Sequence, residues 1–142
     1  MSQRVVIDSS MSLKWWMDDE EFIEEARDLL KKVVAGEIEQ VVPELWFYEV
    51  ANGINTAVKR ERISNETALN FIEELQAMTP TLIPIAQFLP KIFKESVKYG
   101  YATYDIAYMV IAENEGIPFI TADKKFFERV KDDKAFVKHC RI

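Results

Sequence analysis

Four acidic residues occupy places in this chain where an acid is costly. Asp8 closes the apolar run Val5-Val6-Ile7, and Glu49 sits inside Leu45-Trp-Phe-Tyr-Glu-Val-Ala51. Asp105 lies within Tyr101-Ala-Thr-Tyr-Asp-Ile-Ala-Tyr108, and Asp123 follows Phe119-Ile-Thr-Ala122. Carboxylates are almost never fully buried unless they are paired or bind metal. Each has a local alternative. Asp8 could be a strand-end turn residue, Glu49 a salt-bridged helix acid, Asp105 a complement to a helix dipole and Asp123 an N-cap. Those alternatives are independent of one another, whereas a shared cation site accounts for all four together. A ligand set made only of oxygen selects hard ions, Mg²⁺ or Mn²⁺. One or two such ions would polarise a phosphoryl oxygen, activate a water and stabilise a leaving 3′-oxygen, which is phosphodiester hydrolysis.

The rest of the composition removes the competing chemistries. The chain has 142 residues, 18 Lys+Arg against 24 Asp+Glu, a formal charge of −6, one His and one Cys. A lone Cys140 forms no internal disulfide, and a single His and Cys cannot build a zinc site. No uncharged apolar run is long enough to span a membrane. The N-terminus Met1-Ser-Gln-Arg4 carries no cleavable signal pattern, so the expectation is a cytoplasmic protein. The length suits one domain covering residues 1–142. Net acidity argues against a broad basic face for nucleic acid. A metal-charged cleft meets phosphate without one, since two Mg²⁺ would bring −6 to about −2.

The elements that must position the acids alternate. Residues 4–9, 39–43, 81–85, 117–121 and 135–139 read as short strands, the third at a sheet edge because of Pro84. Residues 10–17 read as a loop or short helix. Residues 19–35, 44–60, 64–78, 87–99, 104–115 and 123–131 read as helices, with Ser64 and Thr103 as N-caps. Alternation of this kind predicts a parallel sheet with helices on both faces. Ligands of such sheets bind at the carboxyl ends of the strands. Asp8 and Asp123 fall just past two such ends. Asp105 and Glu49 fall in the first turns of helices facing the same edge.

With these residues in place, the chain resembles the PIN-domain ribonucleases of the VapC toxin type. Asp8-Ser-Ser-Met-Ser-Leu-Lys-Trp15 is similar to their opening motif. Pro43-Glu-Leu-Trp-Phe-Tyr-Glu-Val-Ala-Asn52 is similar to the second. Tyr104-Asp-Ile-Ala-Tyr-Met-Val-Ile-Ala-Glu113 and Ile117-Pro-Phe-Ile-Thr-Ala-Asp123 are similar to the third and fourth. The resemblance spans nearly the whole chain. It implies an α/β fold, a three-layer α/β/α sandwich with a parallel sheet of about five strands. It also implies a Mg²⁺- or Mn²⁺-dependent endoribonuclease with one or two ions, an RNA substrate, a homodimer and a cognate antitoxin protein. The catalytic and metal-binding cluster would be Asp8, Glu49, Asp105 and Asp123, with Asp8 and Asp105 as direct ligands. The family also contains RNA-processing nucleases without a toxin role. A non-catalytic RNA- or protein-binding module on the same fold stays open.

Supporting residues carry paired readings. Ser9 and Ser10 bind metal waters or phosphate, or cap the following helix. Lys14 reaches an RNA phosphate or packs along Trp15. Asn52 orients Glu49, touches RNA or is a surface polar group. Thr121 orients Asp123 or binds phosphate. Trp15, Trp16 and the tyrosines from Tyr99 to Tyr108 read as core or dimer contacts. His139 and Cys140 read as structural. A dehalogenase-type phosphatase is excluded because position 10 is Ser where a second Asp is needed. A phosphorylated receiver is excluded because the third strand ends without an acid.

Overall fold

The computed structural model describes residues 2–142, so Met1 lies outside the described residues. Five strands and seven α-helices run in the order β1 (Gln3–Ile7), α1 (Ser9–Ser12), α2 (Ile23–Val34), β2 (Ile38–Pro43), α3 (Leu45–Lys59), α4 (Asn65–Ala77), β3 (Thr81–Ile83), α5 (Leu89–Tyr99), α6 (Thr103–Glu115), β4 (Phe119–Thr121), α7 (Lys124–Val130) and β5 (Val137–His139). Short 3₁₀ turns at Leu13–Trp15 and Ala86–Phe88 precede α2 and α5. All strand pairs are parallel, in the order β3-β2-β1-β4-β5. This is a three-layer α/β/α sandwich.

The alternation along β1 explains the layers. Val6 enters one core cluster with Trp46, Val50, Ile106 and Phe119. Its neighbours Val5 and Ile7 enter a second, with Met11, Ala26, Leu29 and Ile120. Successive strand residues point to opposite faces, so a strand apolar on both faces must be covered on both. Helices α1 and α2 cover one side and α3 to α6 the other.

The sheet order reverses at β1. The chain moves outward through β2 to β3, then returns to place β4 on the other flank of β1. That reversal opens a crevice at the carboxyl ends of β1 and β4, where open α/β sheets take ligands. Register places Ile7 beside Ile120, so Asp8 and Thr121 leave the sheet side by side. Gly53, one turn beyond Glu49 on α3, allows a close approach. An added Cβ would stand 2.6 Å from a Leu13 methyl, so any side chain there pushes on the turn that follows Asp8.

Several boundaries differ from the periodicity. The second helix begins at Ile23 rather than 19, because Phe22 adopts a left-handed conformation (φ 61°) at its N-cap. Thr103 is the first residue of α6 and Ala102 is the N-cap, with no side-chain cap bond. The third strand stops at Ile83 and, as expected, is an edge strand with Pro84 just beyond it. Ser64 caps α4 as read, accepting from Thr67 N at 3.1 Å. No helix among the described residues is long and apolar enough to cross a membrane.

Candidate active site

Asp8 leaves β1 and turns directly into α1 as its N-cap, accepting from Met11 N at 3.0 Å. Ser10 Oγ donates to the same Oδ1 at 2.7 Å. Ser10 also accepts from the backbone N of Ala122 at 3.0 Å and stands 3.3 Å from Thr121 Oγ1. The carboxyl ends of β1 and β4 are thus stitched through one serine. Thr121 Oγ1 in turn accepts from Asp123 N at 3.1 Å, and Asp123 caps α7 by accepting from Phe126 N at 3.0 Å.

Glu49 arrives from the facing helix α3. Its Oε1 accepts from Ser9 Oγ at 3.2 Å and from Tyr108 Oη at 2.6 Å. Tyr108 is fully buried on α6 and stacks on Phe119 of β4, which fixes its hydroxyl under the site. Asp105 lies half-buried one turn earlier on α6, at the helix N-terminus, where a carboxylate is favoured.

Electrostatics places the acids in one field. Burial lifts the Asp8 carboxyl to about 6, and Glu49 adds repulsion, against the hydrogen bonds from Thr121, Ser10 and Met11. Burial also lifts Asp105 to about 6, with Glu49 and Asp123 raising it further. The Tyr108 hydroxyl is pushed up by burial and then by Glu49. Mutual repulsion of oxygen ligands is what a bound cation relieves. Among the described residues no group of three or more His, Cys, Asp or Glu side chains is placed to hold a metal ion. Mg²⁺ does not require one, since it is held by one or two carboxylates and keeps several waters. The donor set fits such an ion.

Each supporting residue has a place. Ser9 and Ser10 hold Glu49 and Asp8, while the capping role suggested for them belongs to Asp8 itself. Thr121 is fully buried with its hydroxyl engaged by Asp123 N. This geometry suits the orienting alternative of the two read for it. Asn52 is exposed one turn beyond Glu49. Lys14 has a buried stem, and its ammonium stands 3.9 Å from Glu20. Trp16 is core, and Trp15 donates its indole N–H to Ala26 O at 2.9 Å. Sequence reasoning missed Tyr108, Ser12 and Trp46 as residues that hold the site. Their signal was only adjacency to the acids.

Carboxylates therefore stand around the carboxyl ends of β1 and β4, at the switch point of a parallel α/β/α sandwich. The PIN domain model matches residues 5–133. The chain is 30% identical over 108 residues, 75% of its length and 82% of the relative's, to Ribonuclease VapC3 of Pyrobaculum aerophilum. The crystal structure of PAE2754 from Pyrobaculum aerophilum has the same fold, with a TM-score of 0.67 and 16% identity over 99% of this chain and 92% of that one. This chain belongs to the PIN domain family.

Proposed function

We propose that the chain is a Mg²⁺- or Mn²⁺-dependent endoribonuclease and the toxin partner of an antitoxin protein. What supports this reading is the electrostatic linkage of the acids: Glu49 raises Asp8, Glu49 and Asp123 raise Asp105, and burial lifts Asp8 and Asp105 to about 6. The ribonuclease relative supports the substrate class. Asp8 and Asp105 would hold the ion, with Glu49 and Asp123 acting directly or through water. A bound ion supplies Lewis acidity at the phosphoryl oxygen and a more acidic attacking water. The protein's own part is positional. Ser10 and Met11 N aim Asp8, Tyr108 and Ser9 aim Glu49, and Thr121 sets the turn that carries Asp123.

Cleavage of an end-labelled single-stranded RNA tests this. EDTA should reduce cleavage to background, and excess Mg²⁺ or Mn²⁺ should restore it. Because Asp8 and Asp105 lie near 6 without metal, protons compete with the ion, so activity should rise steeply between about pH 5 and pH 7. EDTA-resistant cleavage would sink the metal reading. RNA bound but never cut would favour a binding module.

A homodimer fits one surface. Leu89, Phe93 and Val97 lie four residues apart on α5 and are 49%, 65% and 69% exposed, an apolar stripe on one helix face. Light scattering should report a dimer at micromolar concentration and a monomer for Phe93→Glu. A monomeric parent counts against it.

A further inference from the structure

Beside the acidic rim lies a cavity of about 250 Å³, walled by Lys14, Glu21, Phe22, Ala122, Lys124 and His139. It shares a wall with the site. Ala122 donates its backbone N–H to Ser10, which holds Asp8, and Asp123 follows Ala122 in sequence. Three features make it a built pocket for an anion.

Lys14 is the first. Its side chain is 9% exposed, and the carboxylate paired with it, Glu20 Oε2, stands at 3.9 Å, beyond hydrogen-bond reach. Among the described residues its ammonium makes no hydrogen bond. A lysine with a buried stem and no hydrogen bond on its ammonium has donors left to offer an incoming anion. The buried stem also removes the rotamer freedom that an exposed lysine loses on binding. His139 is the second. Its ring is held between Phe22, edge-on at 5.3 Å, and Phe127, stacked at 5.7 Å, and its Nε2 lies 3.6 Å from Cys140 Sγ. The third is charge. Lys14 and Lys124 line the wall with Glu21, and Glu20 stands 3.9 Å from Lys14, in a chain whose overall balance is −6.

We propose that this cavity seats a backbone phosphate of the RNA strand, flanking the phosphodiester that is cut. The assignment rests on the ribonuclease reading above. The pocket holds the strand by one neighbouring phosphate, so the contact is blind to sequence. It gives an acidic protein a local cationic foothold where the acids themselves repel RNA. Lys14 and His139 thereby gain a role in substrate positioning.

The single histidine makes the test direct, because its imidazole NMR signals need no assignment. The probe is a fully 2′-O-methylated oligoribonucleotide in EDTA, which cannot be cleaved, with inorganic phosphate as a second arm. The oligonucleotide should shift the His139 signals with the same midpoint as fluorescence anisotropy reports. Lys14→Met should weaken binding by about fivefold for every sequence tested and flatten the log–log salt slope by about 0.7. Lys14→Arg should recover most of both, and Lys31→Met, remote on α2, should change neither. If Lys14→Met fails to fold, Lys124→Met carries the same binding and slope test. Binding without a His139 response, with parental affinity and slope in the folded variants, overturns the proposal. If phosphate shifts His139 but the oligonucleotide does not bind, the ribonuclease reading has failed. The strand assignment then fails with it, leaving a small-anion site.

Discussion

Asp8→Asn should leave a protein that no longer cleaves RNA yet melts at a higher temperature than its parent. The two effects share one cause. Asp8 is buried, and burial holds its carboxyl near 6 against an ordinary 3.8. Between those values the folded state keeps a proton that the unfolded chain has released. Stability therefore falls as pH rises through that window. At pH 7 the full ionisation cost is about 3 kcal/mol. Asparagine removes the charge and keeps Oδ1 to accept from Met11 N and Ser10 Oγ. Its new N–H₂ needs an acceptor, which brings the net gain to about 2 kcal/mol and about 6 °C in Tm. Calorimetry in EDTA at pH 7 should show that gain, and the gain should shrink as pH falls toward 4. If Asp8 holds the proposed ion, the same substitution should lower cleavage by roughly a thousandfold or more. Mg²⁺ should raise the parent's Tm and leave the variant's unchanged. A variant less stable than the parent at pH 7 would show that the hydrogen bonds to Asp8 outweigh its desolvation.

The second large effect lies under the site. Trp46 is completely buried and packs edge-on against Phe47 at 4.9 Å. Its indole N–H donates to Ser12 Oγ at 3.0 Å, and Ser12 donates to the backbone oxygen of Asp8 at 2.8 Å. One side chain therefore fills the core below α3 and supports the turn that carries the first acid. Trp46→Ala should cost about 4 kcal/mol through lost burial and the cavity left behind. That is a large share of the roughly 5–15 kcal/mol that holds a domain together. Trp46→Phe keeps most of the volume and removes the donor to Ser12, for about 1–2 kcal/mol. Urea denaturation should rank the parent above Trp46→Phe, and Trp46→Phe above Trp46→Ala. A loss under about 1 kcal/mol for Trp46→Ala would mean that the core closes over the gap.

Local chemistry made much of this protein legible from its residues. The runs Arg4–Ile7 and Glu39–Pro43, separated by helix-period segments, required parallel strands with cover on both faces. A strand followed by a helix returns its exit to one common edge, so acids placed just after strands had to gather there. Ser64 as a cap and Pro84 as an edge marker rest on equally local rules and stand as read. Boundaries set by tertiary packing were not legible. The left-handed Phe22, which delays α2, packs its ring on His139 more than a hundred residues away. Thr103 had the right type for a cap, but the helix takes it as its first residue.

The acid set, the oxygen-only donor chemistry and the alternating order of elements were determined by the sequence alone. Only the tertiary structure decided how those acids are held. Tyr108 meets Glu49 across 59 residues, and Ala122 meets Ser10 across 112. The lift of Asp8 and Asp105 to about 6 likewise comes first from burial by distant segments. The Lys14 cavity joins the 3₁₀ turn Leu13–Trp15, the turn before α2 and the ends of β4 and β5 in the same way. Side-chain type is a property of position in the chain. Desolvation and hydrogen-bond partnership belong to whatever folding brings alongside, which is why the chemistry was legible in the sequence and its tuning was not.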